Sequence, residues 1–312
     1  MTHKHPTLGV LYAATAALLF GLNASTTKVI IQSGVTPEQA VFVRSITAGL
    51  IALAWALIAN RSELRVERRL IPRLFLLGIV GVGTLQWAYS QAVVLLPVGI
   101  ALLIEYTAVL WVPIIALLFF KEQVKRQIWF GAVLVLGGLA VVAQIWDSQL
   151  SLVGILFAFG AAASLTTHLI VGERIQRYLP TNVTMAYGMG IATLLFLPFS
   201  RLNEYDYGGL GNGLDLSGNL TGISVPLWLM LLLMGVAGGF LPMAFTFMAL
   251  RHLSATVVGV VATAETMLAA LFALLWLGEL ISLTQALGGM VVIMGIVLAQ
   301  TARRQKMIKV VD

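Results

Sequence analysis

Ten stretches of mostly apolar residues, each close to the length a helix needs to cross a bilayer, decide what this chain can become. A spanning helix takes about 20 such residues. The stretches lie near 8–31, 38–58, 72–94, 100–120, 128–146, 152–172, 183–199, 226–249, 256–277 and 284–302, and turn residues or charge clusters divide them. Across 312 residues 59% are hydrophobic and 10% charged, where a soluble domain carries about a quarter charged residues. The expected fold class is an all-α integral membrane protein with ten transmembrane helices. No cysteine is present, which excludes disulfides and thiol chemistry and leaves the redox compartment unread. The first apolar stretch is too long for the core of a signal peptide, carries Asn23 and runs on without a small-residue cleavage site, so a retained helix is expected there.

Lysine and arginine set the orientation, because cationic loops stay on the cytoplasmic side. With ten spans both termini share one side. That side collects Lys4, the Arg61, Arg65, Arg68, Arg69 and Arg73 cluster, Lys121, Lys125, Arg126, Arg174, Arg177, Arg251, Arg303, Arg304, Lys306 and Lys309, which is 16 of the 19 cations. Lys28, Arg44 and Arg201 fall on the other. Both termini are therefore expected in the cytoplasm. The net charge of +6 is a topology signal, and without a basic patch interleaved with aromatics it gives no ground for a nucleic-acid partner.

The chain also repeats itself. A shift of 157 residues places Ala92 on Ala249, Leu96 on Leu253, Ala116-Leu117-Leu118 on Ala273-Leu274-Leu275, Glu122 on Glu279, Gly131 on Gly288 and Gly138 on Gly295. A shift of 145 places LGVLYA at Leu8 to Ala13 on VGILFA at Val153 to Ala158. The expected halves are 1–147 and 148–312, with five spans each. Five is odd, so the second half enters the membrane from the opposite face. The repeats are then inverted, with Glu122 closing the fourth span on the cytoplasmic side and Glu279 closing the ninth on the outer side. Inverted repeats recur in secondary transporters, whose substrate site lies between the halves near the midplane.

The residues that end each half, ALLFFKEQVKRQIWFGAVLVLGG at 116–138 and ALLWLGELISLTQALGGMVVIMG at 273–295, resemble the EamA-type family of the drug/metabolite transporter superfamily. Its five-span unit closes with a span, an acidic residue and a glycine-punctuated span. Arg44 in AVFVRSITAGL is similar to the arginine that opens the second span in many members, although the seventh span, VTMAYGMGIATLLF, has no counterpart. The resemblance covers essentially the whole chain. It implies a ten-helix carrier of the inner membrane, usually exporting small metabolites or drugs.

Ionisable groups inside a span cost about 2.5 to 3.5 kcal/mol on insertion scales and tend to face a cavity or a partner. Glu105 is the one charged residue between Val93 and Phe120. At about 1.5 Å per residue it lies about 25 Å from Glu122, and Glu265 about 21 Å from Glu279. That puts Glu105 toward the outer leaflet and Glu265 in the inner half of the ninth span. In the repeat register Glu265 falls on Ala108, one helical turn from Glu105, so both acids can project from one face of equivalent helices. They suit an ammonium or cationic substrate, or proton transfer, since burial disfavours a charged carboxylate. Against this, Glu105 is near enough to the span end to reach water, and either acid could bond a neighbouring helix.

Further polar groups fall on helices that the family resemblance places around the central path: Asn23, Ser25, Thr26, Thr27 and Lys28 in the first span, Gln86, Trp87, Tyr89, Ser90 and Gln91 in the third, and Ser164, Thr166, Thr167 and His168 in the sixth. Asn23 and His168 coincide under the 145 shift, and a histidine can titrate near neutrality. Serine and threonine commonly bond their own helix or a neighbour, and Lys28 is expected to snorkel to the interface. Arg44 could hold a substrate carboxylate, lock a gate against an acid, or snorkel. Trp87, Tyr89, Tyr106 and Trp111 could wall a site for a cationic or aromatic substrate, or face lipid. Trp55, Trp129, Trp146, Trp228 and Trp276 read as interfacial anchors. The connection from Ser200 to Val225 reads as a flexible loop or a small lid, and Pro97, Pro113, Pro198 and Pro242 as ends or bends.

Nothing in the sequence carries hydrolytic or metal chemistry: it has no HExxH, no GxSxG and no Walker phosphate loop, and its four histidines are scattered. No enzyme activity and no cofactor is expected. The reading is a secondary carrier of the bacterial inner membrane that exports a small amphipathic metabolite, an amino acid or related compound, or a drug, by alternating access, with proton antiport and facilitation both open. Its partners are then the substrate, the lipid bilayer and, for antiport, protons. The competing reading is a membrane protein that does not transport, such as an accessory subunit of a lipid-modifying complex.

Overall fold

The structure is a computed structural model and describes residues 5–96, 98–121, 124–144, 146, 150–201, 208–278, 280 and 282–304. Glu122, Glu279, Pro97, Lys4, Lys306 and Lys309, all named above, lie outside the described residues. Among the described residues nine helices are long and apolar enough to cross a membrane. They are α1 (Pro6–Gln32), α2 (Pro37–Ala59), α3 (Arg68–Leu95), α4 (Gly99–Phe120), α5 (Arg126–Ala143), α6 (Leu152–Ile175), α7 (Thr181–Phe199), α8 (Leu227–His252) and α9 (Ala255–Leu277). A tenth, α10 (Leu283–Arg304), has a shorter apolar part, Leu283–Ala299. The helices begin where local chemistry tells them to. Pro6 and Pro37 occupy first-turn positions that need no amide donor, Thr36 and Gln39 form a reciprocal capping box, and Ser282 with Gln285 forms another.

Helix packing follows a regular scheme. α5 lies along α10, α2 along α7, α1 against α8 and α9, and α6 against α3 and α4. α1 thus packs among helices late in the chain and α6 among early ones. Small residues permit this. A Cβ on Gly131 would lie 2.7 Å from the Gly295 carbonyl oxygen and one on Gly138 would lie 2.7 Å from that of Gly288, with the reverse contacts at 2.7 and 2.9 Å. Gly131 and Gly138 are the residues that the 157 shift carries to Gly288 and Gly295, so the two contacts exchange under it. At the ends of α1 and α6 the same holds: Gly9 packs on His252 and Leu253, and Gly154 on Leu95 and Leu96.

Two local departures from α geometry also recur in register. The backbone widens to π geometry at Leu77–Thr84 in α3 and at Val236–Phe240 in α8, both glycine-rich. Then α4 breaks at Tyr106 and Thr107, and α9 at Thr263, the position that the shift places on Tyr106. The threonine hydroxyls answer the backbone disturbance: Thr107 Oγ1 donates to the Ile104 carbonyl at 2.7 Å and Thr263 Oγ1 to that of Val260 at 2.6 Å. A bilayer tolerates irregular backbone only where protein or a watered cavity surrounds it.

The helix ends fall into two groups. One holds the starts of α1, α3, α5, α7 and α9 and carries the arginine cluster from Arg61 to Arg73; the other holds the 200–226 connection. They are called the N-terminal face and the loop face below. Part of the connection, 202–207, lies outside the described residues; its described remainder is ordered as a clasp. Strands β1 (Gly213–Asp215) and β2 (Ser224–Pro226) pair antiparallel. The turn between them is organised by Asp215, whose carboxylate accepts from the amides of Ser217 at 2.7 Å and Gly222 at 2.8 Å. Those bonds favour the ionised form and hold the carboxyl below its usual range. The turn rests on the end of α9: Trp276 Nε1 donates to the Leu216 carbonyl at 2.8 Å, and Asn219 Nδ2 to those of Leu274 and Leu275, each at 3.2 Å. Trp276, expected as a lipid anchor, is instead pinned beneath the hairpin.

The glycine contact between α5 and α10 yields a direct test. Gly138→Val should lower the thermal unfolding temperature in detergent, by an amount corresponding to about 1–3 kcal/mol of overpacking. Gly137→Val, where no atom lies within 4 Å of the Cβ position, should match the parent protein. Equal melting of the two variants would refute the close approach.

Candidate functional site

A cavity of about 590 Å³ runs through the bundle, bounded mainly by parts of α1, α3, α4, α6, α8 and α9, with Arg44 of α2, Val142 of α5, Met189 of α7 and Gln285 of α10 also lining it. It reaches the loop-face ends of the bundle, where Gln32, Val94, Gly99, Val142, Leu277 and Gln285 line it. Toward the N-terminal face it stops at Ala13, Leu169, Met243 and Val258. Beyond that floor Phe247, Leu250, Leu253, Ala255 and Val257 pack into the main apolar cluster. Polar contacts bind that face further. Glu173 accepts from the Ala255 amide at the start of α9, at 2.7 Å, and the His5 amide donates to His252 Nδ1 at 3.3 Å. The bundle is thus hollow from the loop face and filled at the other.

Both helix breaks open onto this cavity, and each carries an acid. Glu105 ends the first segment of α4, and Glu265 lies in the first turn of the second segment of α9. Tyr106 OH donates to Glu265 Oε2 at 2.6 Å, tying one break to the other across the halves. Glu105 is 8% exposed, and its Oε2 is buried with no hydrogen-bond partner among the described residues. Arg44 turns inward rather than snorkelling. It is 8% exposed, its Nε donates to Gln86 Oε1 at 2.6 Å, and its stem crosses Gly239, where a Cβ would lie 2.7 Å from Arg44 Cγ. Among the described residues no ion pair joins Arg44 to either acid. The Arg44 guanidinium and two carboxyl groups therefore share a single cavity with the Lys28 side chain, and the neutral Gln86 orients the guanidinium without cancelling its charge.

Asn23 and His168 occupy matching positions against the π segments of α8 and α3. His168 Nδ1 is 2.9 Å from the Gly81 carbonyl oxygen, which makes Nδ1 the protonated nitrogen. The Asn23 carboxamide fills the space that a Cβ on Gly238 would take. Gly81 and Gly238 are related by the 157 shift, and Asn23 and His168 by the 145 shift, so one polar wedge is used twice. Both wedges line the cavity, as do Tyr89 and Tyr106.

Other expected site residues stand elsewhere. Trp87 packs edge-on against Phe157, ring centroids 5.3 Å apart, and Gln91 donates from Nε2 to Glu38 Oε1 at 2.6 Å; neither lines the cavity. Trp111 is 48% exposed on the outer surface of the bundle. Lys28, expected at the interface, lines the cavity. Thr266 has a buried hydroxyl without a partner and lines the cavity beside Glu265. The signal that could have singled it out is its place next to an intramembrane acid.

The sequence pattern of the EamA-like transporter family matches residues 7–144 and 152–301. The chain is 28% identical over 294 residues to the threonine/homoserine exporter RhtA of Salmonella typhimurium, covering 90% of this chain and 92% of the relative. It is 27% identical over 272 residues to the uncharacterized transporter YdfC of Bacillus subtilis, covering 84% of this chain and 81% of the relative. A solved crystal structure superposes with a TM-score of 0.78 at 19% identity, over 96% of this chain and 99% of that one. That likeness concerns the fold alone.

The shared wedge predicts an asymmetry between two substitutions. His168→Leu leaves the Gly81 carbonyl without its side-chain donor and should cost about 1–3 kcal/mol, seen as a lower unfolding temperature in detergent. His168→Asn installs the side chain used at the matching site and should lose less than half as much. Leucine tolerated as well as asparagine would show that the contact does not hold the segment.

Proposed function

The chain belongs to the EamA-like transporter family, and we propose that it is a secondary carrier exporting an amino acid or similar amphipathic metabolite across the bacterial inner membrane by alternating access, with protons as the coupling ion. The observation that carries this reading is the cavity between the halves, which reaches one face, is filled at the other, and holds both intramembrane acids. The chain transports on its own in this reading; membership of a transporter family weighs against the accessory-subunit alternative. The two sequence stretches that match the family pattern support a division into halves at 1–147 and 148–312, and the printed activity of the Salmonella relative supports an amino acid as cargo.

The same proposal takes α10 as the tenth span and the halves as inverted repeats. The exchange of contacts at Gly131/Gly295 and Gly138/Gly288, and at Gly9 and Gly154, supports it, as does the paired placement of π segments and helix breaks. An inverted pair has a second arrangement in which each half takes the other's conformation. In that arrangement the packing beyond the floor, at Leu253 and Ala255, opens and the mouth at Leu277 closes. The arginine-rich N-terminal face is then cytoplasmic, as are both termini, and the structure is the outward-facing state.

Within the cavity Glu265 carries the coupling proton, held by Tyr106 at the joint between the two broken helices. Asn23, His168, Tyr89, Arg44 and Glu105 form the substrate path. In proteoliposomes an imposed pH gradient should drive labelled L-threonine at least tenfold above the gradient-free rate. Glu265→Gln should abolish the gradient-driven part. Full gradient-driven transport by Glu265→Gln would rule out Glu265 as the proton site, and gradient-independent transport by the parent protein would make it a facilitator.

A further inference from the structure

Charges inside a membrane bundle are expected to be paired, since each costs several kcal/mol when left alone. This cavity departs from that expectation in a particular way. Glu265 is engaged by the Tyr106 hydroxyl. Glu105 keeps one buried oxygen with no partner. Among the described residues Arg44 bonds only through its Nε, to a neutral amide oxygen, so the two terminal amino groups of its guanidinium remain for whatever enters. Gln86 and Gly239 fix where that guanidinium sits, the one by a hydrogen bond and the other by leaving room for the stem. Beside Lys28 and the Thr266 hydroxyl, the cavity thus offers the open Glu105 acceptor and the Arg44 donor fork in the same space. A purely cationic ligand would leave Arg44 unanswered, and a purely anionic one would leave Glu105 unanswered.

We infer that Glu105 and Arg44 are the specificity-determining pair for a zwitterionic α-amino acid, Glu105 Oε2 accepting from its ammonium and the Arg44 amino groups holding its carboxylate in the two-pronged geometry that guanidinium favours. The substrate completes an ion pair that the empty protein leaves open. Each charged end therefore gains in the cavity what it gives up in water. The inference rests on the amino-acid reading above and adds which end of the molecule meets which residue. Glu265 takes no part in holding the substrate, which separates substrate recognition from coupling within one cavity.

The test is competition against labelled L-threonine in proteoliposomes. L-Threoninamide lacks the carboxylate charge and N-acetyl-L-threonine lacks the ammonium. With the parent protein both should compete at least tenfold more weakly than unlabelled L-threonine. Glu105→Gln should raise the KM for L-threonine tenfold or more and erase the discrimination against N-acetyl-L-threonine while keeping that against the amide. Arg44→Gln should do the converse. A general loss of fold lowers transport without producing this crossed pattern, and if Arg44→Gln does not fold, the analogue panel on the parent protein decides alone. Analogues that compete as well as L-threonine, or variants that slow transport without changing discrimination, overturn the assignment while leaving amino-acid transport in place. Transport of some other solute with no movement of any α-amino acid overturns the amino-acid reading and this inference together.

Discussion

Breaking a helix within a bilayer leaves backbone groups that lipid cannot satisfy, and the rest of this structure is arranged around two such breaks. They lie at Tyr106-Thr107 in α4 and at Thr263 in α9. Threonine hydroxyls take up carbonyls next to each break, and the residues flanking both breaks line the cavity. The same two places are where the chain carries its intramembrane acids, and Tyr106 connects them directly. Irregular backbone, charge and cavity coincide because each is tolerable only in the company of the others.

Around those breaks the two proposed halves are interleaved rather than apposed. α1 packs into the second half and α6 into the first, with Gly9 and Gly154 setting how closely their ends approach. The π segments of α3 and α8 give these partners a second point of contact, through His168 on one side and Asn23 on the other. π turns often mark functional positions in helices. The hairpin over α9 is fastened to the last turn of that helix through Asn219 and Trp276.

Much of the architecture was legible before any coordinates, because lipid as a solvent writes itself into long apolar runs and a repeat leaves a constant offset. The paired positions of Asn23 and His168 followed from that offset, and an acid within an apolar run drew attention to Glu105 and Glu265 for a purely energetic reason. What stayed hidden depends on rotation and neighbours. Helices that are apolar on every side give no periodic signal to say which face meets the cavity, so Trp87 and Gln91 could not be told from Tyr89. The Tyr106–Glu265 bond joins residues 159 apart in the chain. The role of Gln86 as the partner of Arg44 depends on how α2 and α3 lie together. The clasp over α9 was read only as a loop or lid, since its order comes from docking on α9 and not from its own glycine-rich sequence.

The central claim is that one cavity is exposed to the two faces in turn. The chain has no cysteine, so single reporters can be placed at Ala273, which lines the cavity in the second segment of α9, and at Ala255, sealed on the N-terminal face under Glu173. The measurement is the rate at which a membrane-impermeant thiol reagent labels each from its own side, with and without L-threonine. The account predicts reciprocal change: labelling at Ala255→Cys rises as labelling at Ala273→Cys falls. Rates that rise together, or that stay fixed while L-threonine is transported, would contradict it.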